Sequence, residues 1–160
     1  MQDRTASPSV DLVDDTYVAC APDVVAQVVA DERRWDVWWP DLHLTTTRDR
    51  GPKGRQWAVR GSLVGTMEIW LEPWWDGVLV HYYLRADPRV PWPRASRGPV
   101  SRRAELRAAE ERQSQARHWK QQVHRLKDEL EGRRQPGEAA ATTPTSTDDG
   151  PHARPGGGSA

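Results

Sequence analysis

The sequence predicts an α+β domain in which an antiparallel sheet lies against a long C-terminal helix. Three observations lead there. Apolar and polar residues alternate in short runs between Leu42 and Ala86, the pattern of strands with one dry face. Two of those runs flank an Asp76-Gly77 turn signal. The proline-free segment from Ser101 to Arg134 carries apolar residues at helical spacing.

Composition limits where the core can lie. The chain has 160 residues, with nine tryptophans and no phenylalanine, so aromatic core volume must come from tryptophan and tyrosine. From Gln135 onward there is no Val, Ile, Leu or aromatic residue. Such a segment buries too little apolar surface to offset its ordering entropy and is expected to be a disordered tail. Residues 1–8 read the same way, which leaves 9–134 as one folded domain.

The elements follow in order. Ser9–Cys20 is rich in β-branched residues and reads as a strand, although Asp14 and Asp15 interrupt its alternation and leave the inward face unassigned. Pro22 suits a first helical position and Asp23 the positive end of a helix dipole. Val24, Val25, Val28, Val29 and Trp35 can share one helical stripe, and the helix, or a short second one, must end before Pro40. Asp36 is expected to cap such a second helix. "LHLTTT" from Leu42 is a strand, "RDRGPKG" a turn, and "RQWAVR" a strand with Trp57 and Val59 on one face. Gly61 and Gly65 are expected to bracket the next turn.

The last hairpin sets its own register. With Pro73 opposite Val78, Leu71 faces Val80, Ile69 faces Tyr82 and Met67 faces Leu84, which makes one wholly apolar face. The other face pairs Trp70 with His81 and Glu68 with Tyr83. A slip of one residue would drive charges into the core. The dry face needs a cover. Ala109, Ala116, Val123 and Leu130 recur at seven-residue steps in the final helix, with Trp119 and Leu126 between them. That stripe suits packing on the sheet. A coiled-coil seam is the alternative, disfavoured by Arg112 at an interior position and by the alanine-rich first half.

Charge and motifs exclude several function classes. Residues 1–87 carry 9 basic and 14 acidic side chains, and residues 88–160 carry 14 basic and 9 acidic. The acids interleaved with the arginines argue against a nucleic-acid footprint. Cys20 is the lone cysteine, so no intramolecular disulfide forms. No secretory signal pattern and no membrane-length apolar run is present, and the expected location is the cytoplasm. There is no phosphate loop, dinucleotide fingerprint, His-Glu-x-x-His helix or Gly-x-Ser-x-Gly elbow. His118 and His124 are six apart and do not share a helix face, so neither a metal nor a cofactor is expected.

A strand ending in "VACAPDVV", a helix closing in "WDVWWP", strands carrying "GTMEIWLEP" and "VHYYLRADP", and a final long helix together resemble the START-like (SRPBCC) superfamily. The likeness is greatest to its bacterial polyketide cyclase/dehydrase and lipid-transport group, including small actinobacterial members. It covers about Val10 to Glu131 and consists of patterns, not a catalytic signature. It implies a helix-grip fold, a curved antiparallel sheet wrapped on the C-terminal helix with a cavity between them. The family has six strands between the short helices and the long one, and this sequence supplies about four, so one hairpin is expected to be missing and the cavity smaller or more open.

The resemblance gives the candidate residues their functional reading. Trp38 and Trp39, with Trp35, sit where the family closes its cavity mouth. Trp57, Met67, Ile69, Leu71, Val80, Tyr82, Leu84 and Trp119 line the covered face, as plain core or as cavity wall. Tyr82 and Arg60 are the polar candidates for orienting a ligand head group, whereas His81 falls on the outer face and His43 has no identifiable partner. Trp74 and Trp75 at the hairpin tip suit packing on the proline-rich loop near Trp92, or contact with a partner or membrane. The expected function is binding of a small hydrophobic or aromatic ligand, lipid or polyketide-like, without catalysis. The alternatives are an aromatase/cyclase-like enzyme and an interaction module with a collapsed cavity. A homodimer or protein partner would use the C-terminal helix or the Trp74–Trp75 tip.

Overall fold

The fold was taken from a computed structural model, which describes residues 7–89 and 101–132. Trp92 and the expected tail from 135 lie outside them, as does most of the expected loose N-terminus. The elements are β1 (Val10–Val18), α1 (Pro22–Ala30), α2 (Glu32–Trp38), β2 (Leu42–Asp49), a 3-10 turn (Gly51–Lys53), β3 (Gly54–Gly61), β4 (Leu63–Trp74), β5 (Gly77–Pro88) and α3 (Arg102–Glu131). The strands form one antiparallel sheet in the order β1-β5-β4-β3-β2, with the three helices packed on it. The helix-grip α+β class is thus observed, with four strands between the short helices and the long one.

Local chemistry explains the element ends. Pro22 opens α1 with Asp23 in its first turn, and Val25 and Val29 form the buried face. Asp31 closes α1 through its N–H to the Val28 carbonyl, and its side chain accepts from the Arg33 N–H at 3.2 Å to start α2. The cap is therefore Asp31, and Asp36 lies inside α2; a residue that ends one helix in extended geometry is already placed to begin the next. The Arg33 guanidinium beside Asp31 holds that carboxyl below its ordinary value.

In the sheet, the β4–β5 register is the one the apolar pattern dictates: Pro73 opposite Val78, Leu71 opposite Val80, Ile69 opposite Tyr82 and Met67 opposite Leu84. Gly65 lies within β4 and not at a turn. A Cβ there would come within 2.1 Å of the Arg85 carbonyl, so this glycine allows close strand approach, while Gly61 (φ 124°) makes the bend. In β2 the register shifts between Thr46 and Arg48, a bulge at which the Thr47 hydroxyl donates to the Gln56 carbonyl at 3.2 Å.

β1 resolves the ambiguity of its two aspartates. Val10, Thr16 and Val18 are buried, so the even positions point inward and Asp14 points with them. Its carboxylate accepts from the Trp119 indole N–H at 2.9 Å and pairs with Lys120. Asp15 points outward to His81.

The buried seam of α3 is Trp119, Gln122, Val123, Leu126 and Leu130, with Ala108 buried further back. Ala109 and Ala116 are only partly covered and Arg112 is exposed, so the seven-residue repeat holds only in the C-terminal half. A helix of 30 residues is about 45 Å long and outreaches a sheet of five strands. Its C-terminal end is fixed by Lys127, which donates to the Tyr17 carbonyl at 2.8 Å, and by Glu131, which accepts from the Ala19 N–H at 2.7 Å. Arg34 grips Glu129 through two bonds of 2.7 and 3.0 Å, tying α2 to α3.

The hairpin tip departs by one residue from the Asp-Gly expectation. Trp74 pairs with Gly77, so Trp75 and Asp76 are the turn residues. Trp75 has φ 52° and is 93% exposed, a left-handed conformation that a bulky side chain adopts at a cost. Trp75→Gly should therefore stabilise the fold by roughly 0.5–1 kcal/mol. Urea denaturation of the two proteins measures this directly, and a lower midpoint for the variant would show that the indole is supported by contacts.

Candidate functional site

The space between the sheet and α3 is filled by rings. Trp119 from α3 stacks on Tyr82 from β5 at 4.1 Å, and Trp39, from the corner after α2, lies nearly parallel to both at 6.0 and 6.2 Å. Trp57 from β3 leans on Trp39 at 6.0 Å and meets Trp35 edge-on at 5.3 Å. Trp38 closes the cluster against Trp39 and Trp119. Met67, Ile69, Leu71, Val80 and Leu84 complete the buried wall beneath the rings. The ten residues expected to line a cavity thus belong to one continuous cluster.

Polarity within the cluster is uneven. The Trp35 N–H reaches the Val29 carbonyl at 2.9 Å, and the Trp119 N–H reaches Asp14. The indole N–H groups of Trp39 and Trp57 and the hydroxyl of Tyr82 are buried without a hydrogen-bond partner among the described residues. An unsatisfied buried donor or hydroxyl costs about 1–3 kcal/mol, so three around one ring system is unusual. Burial pushes the Tyr82 phenol far above its ordinary value. The Trp39 N–H lies near enough to offset part of that rise, although the two do not meet at hydrogen-bonding geometry, and the Asp14 charge adds to it. Sequence reasoning missed Asp14 as a partner of the ring cluster, since it registered only as an acid that broke the alternation of β1.

Trp39 also reaches a concavity of about 100 Å³ bounded by Pro40, Asp41, Leu42 and, from α3, Ser114, Gln115 and His118. His118 Nε2 bonds the Trp38 carbonyl across this corner. A second groove, about 300 Å³, runs between α1 and the β2–β3 turn, from Ala26 and Val29 to Pro52 and Arg55.

Arg60 does not join Tyr82. It is exposed on the opposite face of β3, because Trp57 and Val59 take the inward positions, and it stands across from His43 on β2. His81 does stack on Trp70, at 4.8 Å, on the outer face. It also bonds Asp15 of β1 through Nδ1 at 2.7 Å and Glu72 of β4 through Nε2 at 2.9 Å, partners that the hairpin pairing did not reveal. Among the described residues no group of His, Cys, Asp and Glu is arranged to hold a metal.

No protein-family model matches the sequence, and no curated protein matches it significantly. Solved structures do. The chain is similar to DR_A0006 from Deinococcus radiodurans, with 11% identity over 75% of this chain and 95% of that one and a TM-score of 0.52. It is also similar to the Aha1 dimer from Colwellia psychrerythraea (14% identity, 76% and 96% covered, TM-score 0.48) and to a START superfamily protein from Mycobacterium smegmatis (13%, 72% and 98%, TM-score 0.39). At 11% identity the likeness to DR_A0006 is one of fold alone. No helix among the described residues is long and apolar enough to cross a membrane.

Two predictions follow from this geometry. Tyr82→Phe removes an unpaired buried hydroxyl and should leave stability unchanged or raise it by up to about 1–3 kcal/mol, whereas Trp119→Phe, which loses both stack and N–H bond, should cost about 2–4 kcal/mol. Equal losses in chemical denaturation would mean that the phenol is bonded after all. For His81, burial disfavours the charged ring, but the hydrogen bonds and charges of Glu72 and Asp15 outweigh it, so it titrates above its ordinary value of 6.5. A raised native value means that its stabilisation is complete below about pH 6.5 and is lost as pH rises through the native value. Denaturation midpoints should fall over that range in the native protein and stay flatter in His81→Gln.

Proposed function

We propose that the protein binds a small aromatic or hydrophobic molecule bearing a carbonyl-like acceptor, held between sheet and α3 in the segment 9–134, without chemical turnover. The observation that carries this reading is the set of unpartnered polar atoms of Trp39, Trp57 and Tyr82 inside an otherwise apolar cluster. A ligand acceptor inserted among these rings would satisfy donors that the chain leaves unpaired, while its apolar body would stack on indole faces. Entry is at the Trp39–Pro40 corner, the one part of the ring cluster that also borders the concavity beside His118. Because the rings now touch, binding requires Trp39 to swing aside, so the site suits a flat molecule more than a bulky lipid.

The cyclase-like alternative has less support. A general acid works best with a pKa near the operating pH, and burial holds the Tyr82 phenol neutral far above it. Arg60, the other candidate for directing a reaction, faces away. A partner along α3 has as its main support Leu106, which is 57% exposed.

Intrinsic fluorescence titration with 2-acetonaphthone and 2-methylnaphthalene tests the reading. The two probes share a ring system, and only the first carries an acceptor. The ketone should bind about tenfold tighter, and Trp39→Phe and Trp57→Phe should each shrink that advantage. Equal affinities, or no response to either probe, would sink the proposal. Native mass spectrometry of protein from its own host would then identify the natural ligand class.

A further inference from the structure

The β4–β5 hairpin ends in a group of side chains that neither the ring cluster nor the sheet requires. Trp74 is 50% exposed and Trp75 93% exposed. With Tyr17 of β1 and Asp76 they bound one concavity of about 340 Å³ at the end of the sheet. Two features show that this arrangement is built at some expense. Trp75 is held at φ 52°, where glycine would be the ordinary choice. At residue 77 a Cβ would come 2.3 Å from the Val18 carbonyl and 2.7 Å from the Tyr17 hydroxyl, so glycine there lets the phenol ring lie across the base of the hairpin.

The chemistry of the four side chains is specific. Three aromatic side chains and one carboxylate line the concavity, and the Tyr17 hydroxyl donates to Asp76. Aromatic faces attract cations through their quadrupoles, most of all cations that are weakly hydrated. The Tyr17 ring already has one cation near it: Lys127 Nζ lies 5.7 Å from the ring centroid, its charge balanced by Glu131. An ordinary ammonium would need several acceptors to replace its water. A quaternary ammonium needs none, and Asp76 can serve it as a charge while remaining bonded to Tyr17.

We infer that the Trp74–Trp75–Tyr17–Asp76 concavity is a binding site for the trimethylammonium group of a choline-type ligand. The site stands apart from the interior ring cluster and does not depend on the function proposed there. The same chemistry is carried by free choline and by the phosphocholine headgroup of a bilayer.

The test is a titration of the full chain, followed by the indole N–H resonances, with choline and with its neutral isostere 3,3-dimethyl-1-butanol. Choline should shift the Trp74 and Trp75 signals and leave those of Trp35 and Trp57 in place, with the isostere roughly tenfold weaker. Trp75→Gly should abolish the response without lowering the unfolding midpoint, which separates loss of the site from loss of the fold. Asp76→Asn should weaken it several-fold. Flotation with phosphatidylcholine vesicles, compared with phosphatidylglycerol vesicles, then distinguishes the source. Selective flotation with the former identifies a lipid headgroup, and choline binding without flotation identifies a free small molecule. Equal response to choline and isostere, or no shift at the two tip indoles, would overturn the inference. Shifts confined to Trp35 and Trp57 would do the same while leaving the interior site standing.

Discussion

Trp119 is the residue on which the interior depends. Its indole stacks on Tyr82 at 4.1 Å and parallels Trp39, while its N–H is held by Asp14 at 2.9 Å. Stacking alone would let α3 slide along the sheet, because dispersion is indifferent to small shifts. The hydrogen bond to a carboxylate removes that freedom and fixes both the rotation and the height of the helix. Asp14 in turn is bearable on the inner face only because Trp119, Thr16 and Lys120 all address it. An acid that looks out of place in the strand thereby becomes the anchor of the helix.

This arrangement explains how a sheet of only five strands can close on the helix. Five strands offer limited surface to curve around the helix, and a large void would be costly to leave empty. Indoles solve the volume problem, since each fills far more space than an aliphatic side chain. They bring N–H groups with them, however, and a dry interior has few acceptors. Trp35 finds the Val29 carbonyl and Trp119 finds Asp14, but Trp39 and Trp57 remain unpaired. The abundance of tryptophan and the unsatisfied donors are two sides of the same choice.

The sheet was legible in the sequence wherever alternation was strict. The β4–β5 register could be read residue by residue because any slip would bury Glu68 or Glu72. The β1 face could not, since its deciding contacts lie on α3, more than a hundred residues away. The helix stripe was read at Ala109, whereas Ala108 is the buried one, because the strict seven-residue spacing holds only in the C-terminal half of α3. The ring cluster was visible as a list of apolar residues, but not as a site. Its distinguishing property is which N–H groups lack partners, and that follows from three-dimensional placement alone. His81 was assigned to the correct face with Trp70 opposite, yet Glu72 reaches it diagonally across the hairpin and Asp15 comes from β1, which the hairpin pattern does not relate to it.

The bulge in β2 has a meaning beyond its own strand. An open sheet of five strands has two edges, β1 and β2, and each offers backbone groups to which another copy could add a strand. The register shift between Thr46 and Arg48 breaks the regular ladder along one edge, and the Thr47 hydroxyl takes up the Gln56 carbonyl beside it. Arg48 and Asp49 then place opposite charges along the remaining stretch, and Asp11 and Asp15 place two like charges on the outer face of β1. An open sheet leaves both borders unpaired, and these few residues make each a poor template for a further strand.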